Sequence, residues 1–307
     1  MSDSADFKND YSDFVIVAEH EWSRRKEERW NVYIDNTLWE IHEDLTEGRN
    51  AATINRVLFK GLYERENCHA EVLFISNNAL WNKTRHKLVR NSEICLMMLG
   101  KSNQKVVIRI LEDKQKFLKE FANRSAADVT FVVNGEECKG DREYLAGLSP
   151  VFKAMLYGQF AEAQQDKIVL EEIESVGIFK DFLLAVSPLR IQPNPSNVDA
   201  LLKLARQYDV PILMHKCENH LMSCYEISLA DRILLAGEYG LDSLRKRTML
   251  QLSNDDFQEM LKEKSKQLRE PESNFLFDII ADRMQEMQDV CEQLLTENKE
   301  LQKNYKK

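Results

Sequence analysis

The chain has 307 residues, of which 43% are apolar and 30% charged, and its net charge is −9. That length suits two domains, or two and an extension, and the acidic balance excludes a general affinity for nucleic acid or anionic membrane. The leading "MSDSADFKND" is polar and acidic where a signal peptide is basic and then apolar, and the most apolar short run, "ICLMMLG", is far too short to cross a bilayer.

Six cysteines, at 68, 95, 138, 217, 224 and 291, are too dispersed for the disulfide framework of a small secreted domain. Reduced thiols are expected, and with them a cytoplasmic or nuclear setting.

Residues 1–12 read as a disordered tail. From 13 to 112 short strand-like runs recur, "FVIVAEH", "RWNVYID", "RVLFKGLY", "CHAEVLFIS", "SEICLMML" and "QKVVIRIL", separated by polar breaks. Such spacing predicts an all-β sandwich or barrel. All four tryptophans, Trp22, Trp30, Trp39 and Trp81, fall in this region, and packing in its core or rim is their expected role. Residues 113–124 place Phe117, Leu118 and Phe121 at helical spacing, a short linker helix.

The pattern changes over 125–224. "DVTFVVNGEECKG" reads as a hairpin around Asn-Gly. "REYLAGLSPVFKAML" follows as an apolar helical face, with Ser149 capping a turn that carries Pro150. "KIVLEEI" reads as a strand and "SVGIFKDFLLAV" as a helix. After the Pro-rich "PLRIQPNPS" come two more helices, "SNVDALLKLARQYDV" and "PILMHKCENHLMS". A small sheet with helices clustered on it is an α+β arrangement.

Residues 225–270 read as short helices, with Gly240 where a helix stop belongs. Pro271 breaks that pattern, and 271–307 keep one amphipathic helical period. Ile280, Met284, Met287, Cys291 and Leu294 follow one another at alternating spacings of four and three, and Leu301 lies seven further on, a heptad stripe. Two uses fit this stripe, a coiled coil and a helix docked on its own protein.

Catalytic patterns are missing. There is no Gly-rich phosphate loop, no Gly-x-Ser-x-Gly elbow and no His-Glu-x-x-His. The best metal candidate is His215, Cys217, His220 and Cys224 in "HKCENHLMSC". Zinc draws its ligands from separate elements, which one continuous helix cannot easily replace. Cys217, Leu221 and Cys224 read more simply as the buried stripe of that helix. No enzyme activity, metal or cofactor is expected.

The stretch from Asp128 to Met222 resembles a BTB (POZ) domain. Leu145, Ala146, Ser149 and Phe152 match the family's "vLaa-S-x-x-F" core, "IVLEEIES" matches the strand before its next helix, and "NVDALLKLARQYDVPILMHKCENHL" resembles its closing helical pair. Lys139-Gly140-Asp141 departs from the family's frequent His-x-His. "VSPLRIQP" resembles the branch joined to MATH domains, and "ERWNVYI" and "CHAEVLFIS" resemble MATH strands.

The resemblance implies an N-terminal all-β MATH/TRAF-like sandwich, an α+β BTB domain, a short helical extension and a C-terminal amphipathic helix. It also implies a homodimer formed through the BTB domain, binding to cullin-3 and recruitment of a protein substrate by the N-terminal domain, with no nucleic-acid or membrane partner. The family's apolar-x-Glu motif for cullin falls on Phe160 and Glu162, with Met155 on the preceding helix. Asp128 and Arg142 match the family's paired charges and are expected to form a partly buried ion pair. The alternative is an oligomeric scaffold or regulatory protein that recruits no cullin.

Overall fold

The computed structural model describes residues 11–23, 29–34, 37–47, 53–60, 68–76, 79–87, 93–97, 104–122, 127–159, 165, 167–188 and 191–251, together with helical positions 284, 285, 292, 294 and 295. The chain divides into two compact units, residues 1–226 and 227–307.

Among the described residues, the first unit opens with eight strands. They are β1 (Phe14–Ser23), β2 (Arg29–Ile34), β3 (Thr37–Glu47), β4 (Thr53–Lys60), β5 (His69–Ser76), β6 (Ala79–Lys87), β7 (Glu93–Met97) and β8 (Gln104–Asp113). Six were expected from the apolar runs; β3 and β6 were not. They form two four-stranded sheets, ordered β1-β8-β5-β6 and β2-β3-β4-β7, paired antiparallel throughout. In the first sheet the central strands β5 and β8 are buried on both faces. Ala70, Val72 and Phe74 line one face with Val106, Ile108 and Ile110. Leu73, Ile75 and Val107 line the other, as the two-residue period of a strand requires.

Helix α1 (Lys114–Ala122) leads to β9 (Val129–Val133) and β10 (Glu136–Gly140). Asn134 and Gly135 both have positive φ, 51° and 82°, the conformation a two-residue hairpin turn demands and Asn-Gly tolerates. Alternate residues Val129, Phe131 and Val133 point inward. Where one apolar helical face was read, two helices form, α2 (Arg142–Leu148) and α3 (Pro150–Tyr157). Ser149 between them is extended, caps α3 by accepting from the N–H of Phe152 at 3.0 Å, and sets Pro150 at the first helical position. Both helices lie in the crossover that brings β11 (Lys167–Val169) parallel to β9.

Helices α4 (Val176–Val186), α5 (Val198–Gln207) and α6 (Pro211–Ser223) complete the unit. Its core is aromatic. Phe131 meets the edges of Phe152 and Phe179, and Phe152 stacks on Tyr208 with centroids 4.5 Å apart. In the second unit, α7 (Leu229–Glu238) starts at a Ser228 cap, and α8 (Asp242–Gln251) follows Gly240, whose φ of 69° ends α7. No described helix is long and apolar enough to cross a membrane.

Candidate partner-binding surface

Helix α3 turns two unlike faces in two directions. Phe152 and Leu156 are fully buried in the aromatic core. Val151, Lys153, Ala154 and Tyr157 face solvent, with Met155 half-buried between them. Val151 is 37% and Tyr157 57% exposed, a partly apolar outer face. The Ser149 hydroxyl also donates to the carbonyl of Tyr208, pinning the start of α3 to the end of α5. Phe160 and Glu162, just beyond the helix, lie outside the described residues.

Asp128 and Arg142 meet through the main chain: the Arg142 backbone N–H donates to Asp128 Oδ1 at 2.8 Å. The guanidinium turns elsewhere. Nη1 donates to the carbonyl of Leu156 at 3.1 Å and Nη2 to that of Gln165 at 3.2 Å. Arg142 thus ties together the two ends of the segment that carries Phe160 and Glu162.

The α6 candidates do not converge. His215 is exposed and 3.9 Å from Glu218, while Cys217, His220, Leu221 and Cys224 are buried along the inner face. Burial pushes the Cys217 thiol up to about 12. Among the described residues no group of three metal-binding side chains comes together. Of the heptad positions, Met284 and Leu294 are described and exposed; Ile280, Met287, Cys291 and Leu301 lie outside the described residues.

The most elaborate polar constellation had no counterpart in the sequence reading. Glu19, Arg109, Glu71 and Arg85 occupy one row across β1, β8, β5 and β6, because the ladders pair each with the next. Their charges alternate. The register of β1 slips between Ile16 and Ala18, so Ile16 and Glu19 share a face although three residues apart. Arg109 Nε donates to Glu19 Oε2 at 2.5 Å. Its two terminal nitrogens donate to the carboxylate of Glu226, just past α6, with Nη2 at 3.1 Å from Oε2. Lys83 Nζ sits 3.0 Å from Glu71 and 3.4 Å from Glu226, and Arg85 Nη2 sits 2.9 Å from Glu71.

The hydroxyl of Tyr11 is at the centre. It donates to Glu71 Oε2 at 2.5 Å and accepts from Lys83 at 2.9 Å and Arg109 at 3.0 Å. The side chains of Arg109, Glu71 and Glu226 are fully buried. Among the described residues three acids (Glu19, Glu71, Glu226) face three cations (Lys83, Arg85, Arg109), and their charges balance. Burial alone would raise the Glu226 carboxyl, but Arg109 beside it and donating to it brings it down to about 2. Burial also holds the Tyr11 hydroxyl protonated, its pKa far above the ordinary value. His220 is held neutral, down to about 3, first by burial and then by Arg109. A lone charge inside each of two apolar runs, "AEVLFIS" and "VVIRIL", was the available sign of this cluster.

Residues 117–225 match the family model for the BTB/POZ domain. BTB and MATH domain-containing protein 38 of Caenorhabditis elegans is 30% identical over 118 residues, 38% of this chain and 30% of that protein. BTB and MATH domain-containing protein 36 of the same organism is 31% identical over 129 residues, 42% of this chain and 40% of that protein. Kelch-like protein 30 of Homo sapiens is 35% identical over 97 residues, 31% of this chain and 16% of that protein. The match therefore spans less than half the length of each relative. The solved BTB domain of human gigaxonin aligns at 24% identity over 34% of this chain and 86% of that chain, with a TM-score of 0.28.

Proposed function

From the premise that residues 117–225 are a BTB/POZ domain, we propose that this chain is a non-enzymatic, substrate-recruiting adaptor of a cullin-3 RING ubiquitin ligase. In this reading the BTB domain dimerises. Cullin-3 docks on the outer face of α3 and the Phe160-Ala161-Glu162 segment after it, and the N-terminal β region, a MATH-type sandwich, holds a protein substrate. The dimer presents two substrate sites and gains avidity.

The outer face of α3 carries the proposal. A helix that commits Phe152 and Leu156 to the core still leaves Val151 and Tyr157 uncovered, with Met155 half-buried beside them. An apolar centre with a polar rim is what a partner anchor needs, and Phe160 with Glu162 supplies that pairing at the helix end. Two antiparallel four-stranded sheets fit the MATH-type sandwich, and two of the similar proteins are named for both domains.

The test is a pull-down of cullin-3 with the full chain. A Phe160→Ala, Glu162→Lys variant is expected to lose roughly thirtyfold in affinity or more, and Met155→Asp to weaken binding while the dimer persists. Equal binding by wild type and the double variant would show that the surface is wrongly placed. A second reading, a scaffold that only oligomerises, is favoured by the exposure of Met284 and Leu294 at heptad positions. Wild type that binds no cullin-3 would select it.

A further inference from the structure

We infer that the N-terminal β region and the BTB domain are locked into one body, residues 11–226, by the buried charge cluster and the joints that flank it, so that the two halves unfold together and keep one orientation. Domains that move on a linker meet through small, polar, wet interfaces; this junction is of another kind.

Its centre is the charge cluster, to which the β region brings Tyr11, Glu19, Glu71, Lys83, Arg85 and Arg109 and the tail of α6 brings Glu226. Pulling the halves apart would break both hydrogen bonds between Arg109 and Glu226 and open the apolar sheet face beside them to water. Apolar packing surrounds the cluster: Tyr225 covers Leu73, Ile75 and Val107 on the same face. The Tyr225 hydroxyl donates to Glu21 at 2.9 Å and accepts from Lys105 at 3.3 Å, and Ser223 donates to Glu19 at 3.1 Å.

Two further joints use other elements. The free edge of β1 is covered by a bridge between Ile16 and Gln192, where the Gln192 N–H donates to the Ile16 carbonyl at 3.3 Å; edge strands need such cover. At the base of the sheet, Lys114 pairs with Asp181 of α4, and its N–H donates to the Asp13 carbonyl at 2.9 Å. The slip in β1 matters here, because it sets Glu19 opposite Arg109 on the face of the cluster, within reach of Ser223. Under the proposed function, and resting on it, the lock fixes where a recruited protein stands relative to α3; the lock itself does not depend on that reading.

The sequence supplies separate reporters for the two halves. All four tryptophans lie in the β region, and Cys138 lies in the BTB sheet, where it is buried. Urea unfolding of the full chain is followed by tryptophan fluorescence and by pulse labelling of Cys138. In wild type the two midpoints are expected to coincide. Tyr11→Phe, which removes one hydroxyl at the cluster centre, is expected to lower both equally, by on the order of 0.5 M, and Glu226→Gln to lower both further. Should Glu226→Gln not fold, Tyr11→Phe still decides. Separate midpoints in wild type, or a Tyr11→Phe chain in which the tryptophan midpoint falls alone or neither moves, would overturn the inference.

Discussion

Arg109 and Glu226 stand 117 residues apart in sequence and share two hydrogen bonds in a place closed to solvent. One belongs to the centre of a β-sheet and the other to the chain leaving the last BTB helix. Removing one partner of a buried pair typically costs 3–5 kcal/mol, roughly. For a unit of this size that is a fall in melting temperature of roughly 10 °C. Arg109→Met should therefore melt well below wild type by circular dichroism. Arg109→Met with Glu226→Leu should recover part of the loss, because the remaining charges, Glu19 and Glu71 against Lys83 and Arg85, balance again. A double variant no more stable than the worse single one would refute the pairing account.

Local signals in the sequence were sufficient where a local physical rule decides the outcome. Asn134-Gly135 marked its hairpin, Ser149-Pro150 its helix start and Pro211 the start of α6. The single apolar face read from Tyr144 to Leu156 became two helices, since a Ser149 cap requires an extended residue between them. Strand β6, "ALWNKTRHK", escaped because it is a sheet edge whose Lys83 and Arg85 serve the charge cluster and carry no apolar alternation. The cluster itself was half visible in Glu71 and Arg109, charges amid apolar runs. Their partner Glu226 has no local signature, because only the fold brings it there.

Acid should weaken this protein earlier than ordinary carboxylates alone would. His220 is buried neutral, its pKa down from 6.5 to about 3, while the unfolded chain takes up its proton near 6.5. Stability from this group is complete above pH 6.5 and drains away as pH falls toward 3. His86, also lowered by burial, adds the same sign. Glu226, down from 4.5 to about 2, adds a second loss below pH 4.5. Urea midpoints measured from pH 7.5 to 5 should fall steadily for wild type and less steeply for His220→Gln. Parallel curves would remove His220 from the account.

Arg142 supports the proposed cullin surface from beneath the segment's two ends. Its guanidinium spans the carbonyls of Leu156 and Gln165, and a planar fork can hold two acceptors that one ammonium cannot. Arg142→Lys should therefore lose roughly tenfold in cullin-3 affinity, although charge and the backbone bond to Asp128 are kept. Isothermal calorimetry with the full chain checks this. A lysine variant that binds as tightly as wild type would reduce Arg142 to a surface charge.

Gly140 tests how closely the BTB sheet is packed. A Cβ there would sit 2.8 Å from Phe131 Cε2 and 3.1 Å from Leu145 Cδ1. Neither neighbour can give way easily: both are buried, and the Phe131 ring is held edge-on by Phe152 and Phe179. Overpacking a filled core of this kind costs roughly 1–3 kcal/mol. Gly140→Ala should lower the urea midpoint accordingly. Phe131→Leu, which shortens the obstructing ring, should be destabilising alone through lost packing. Combined, the two changes should cost less than their sum, since the shorter side chain leaves room for the methyl group. Strict additivity in that cycle would mean the alanine acts elsewhere, and the contact with Phe131 would lose its claim as the cause.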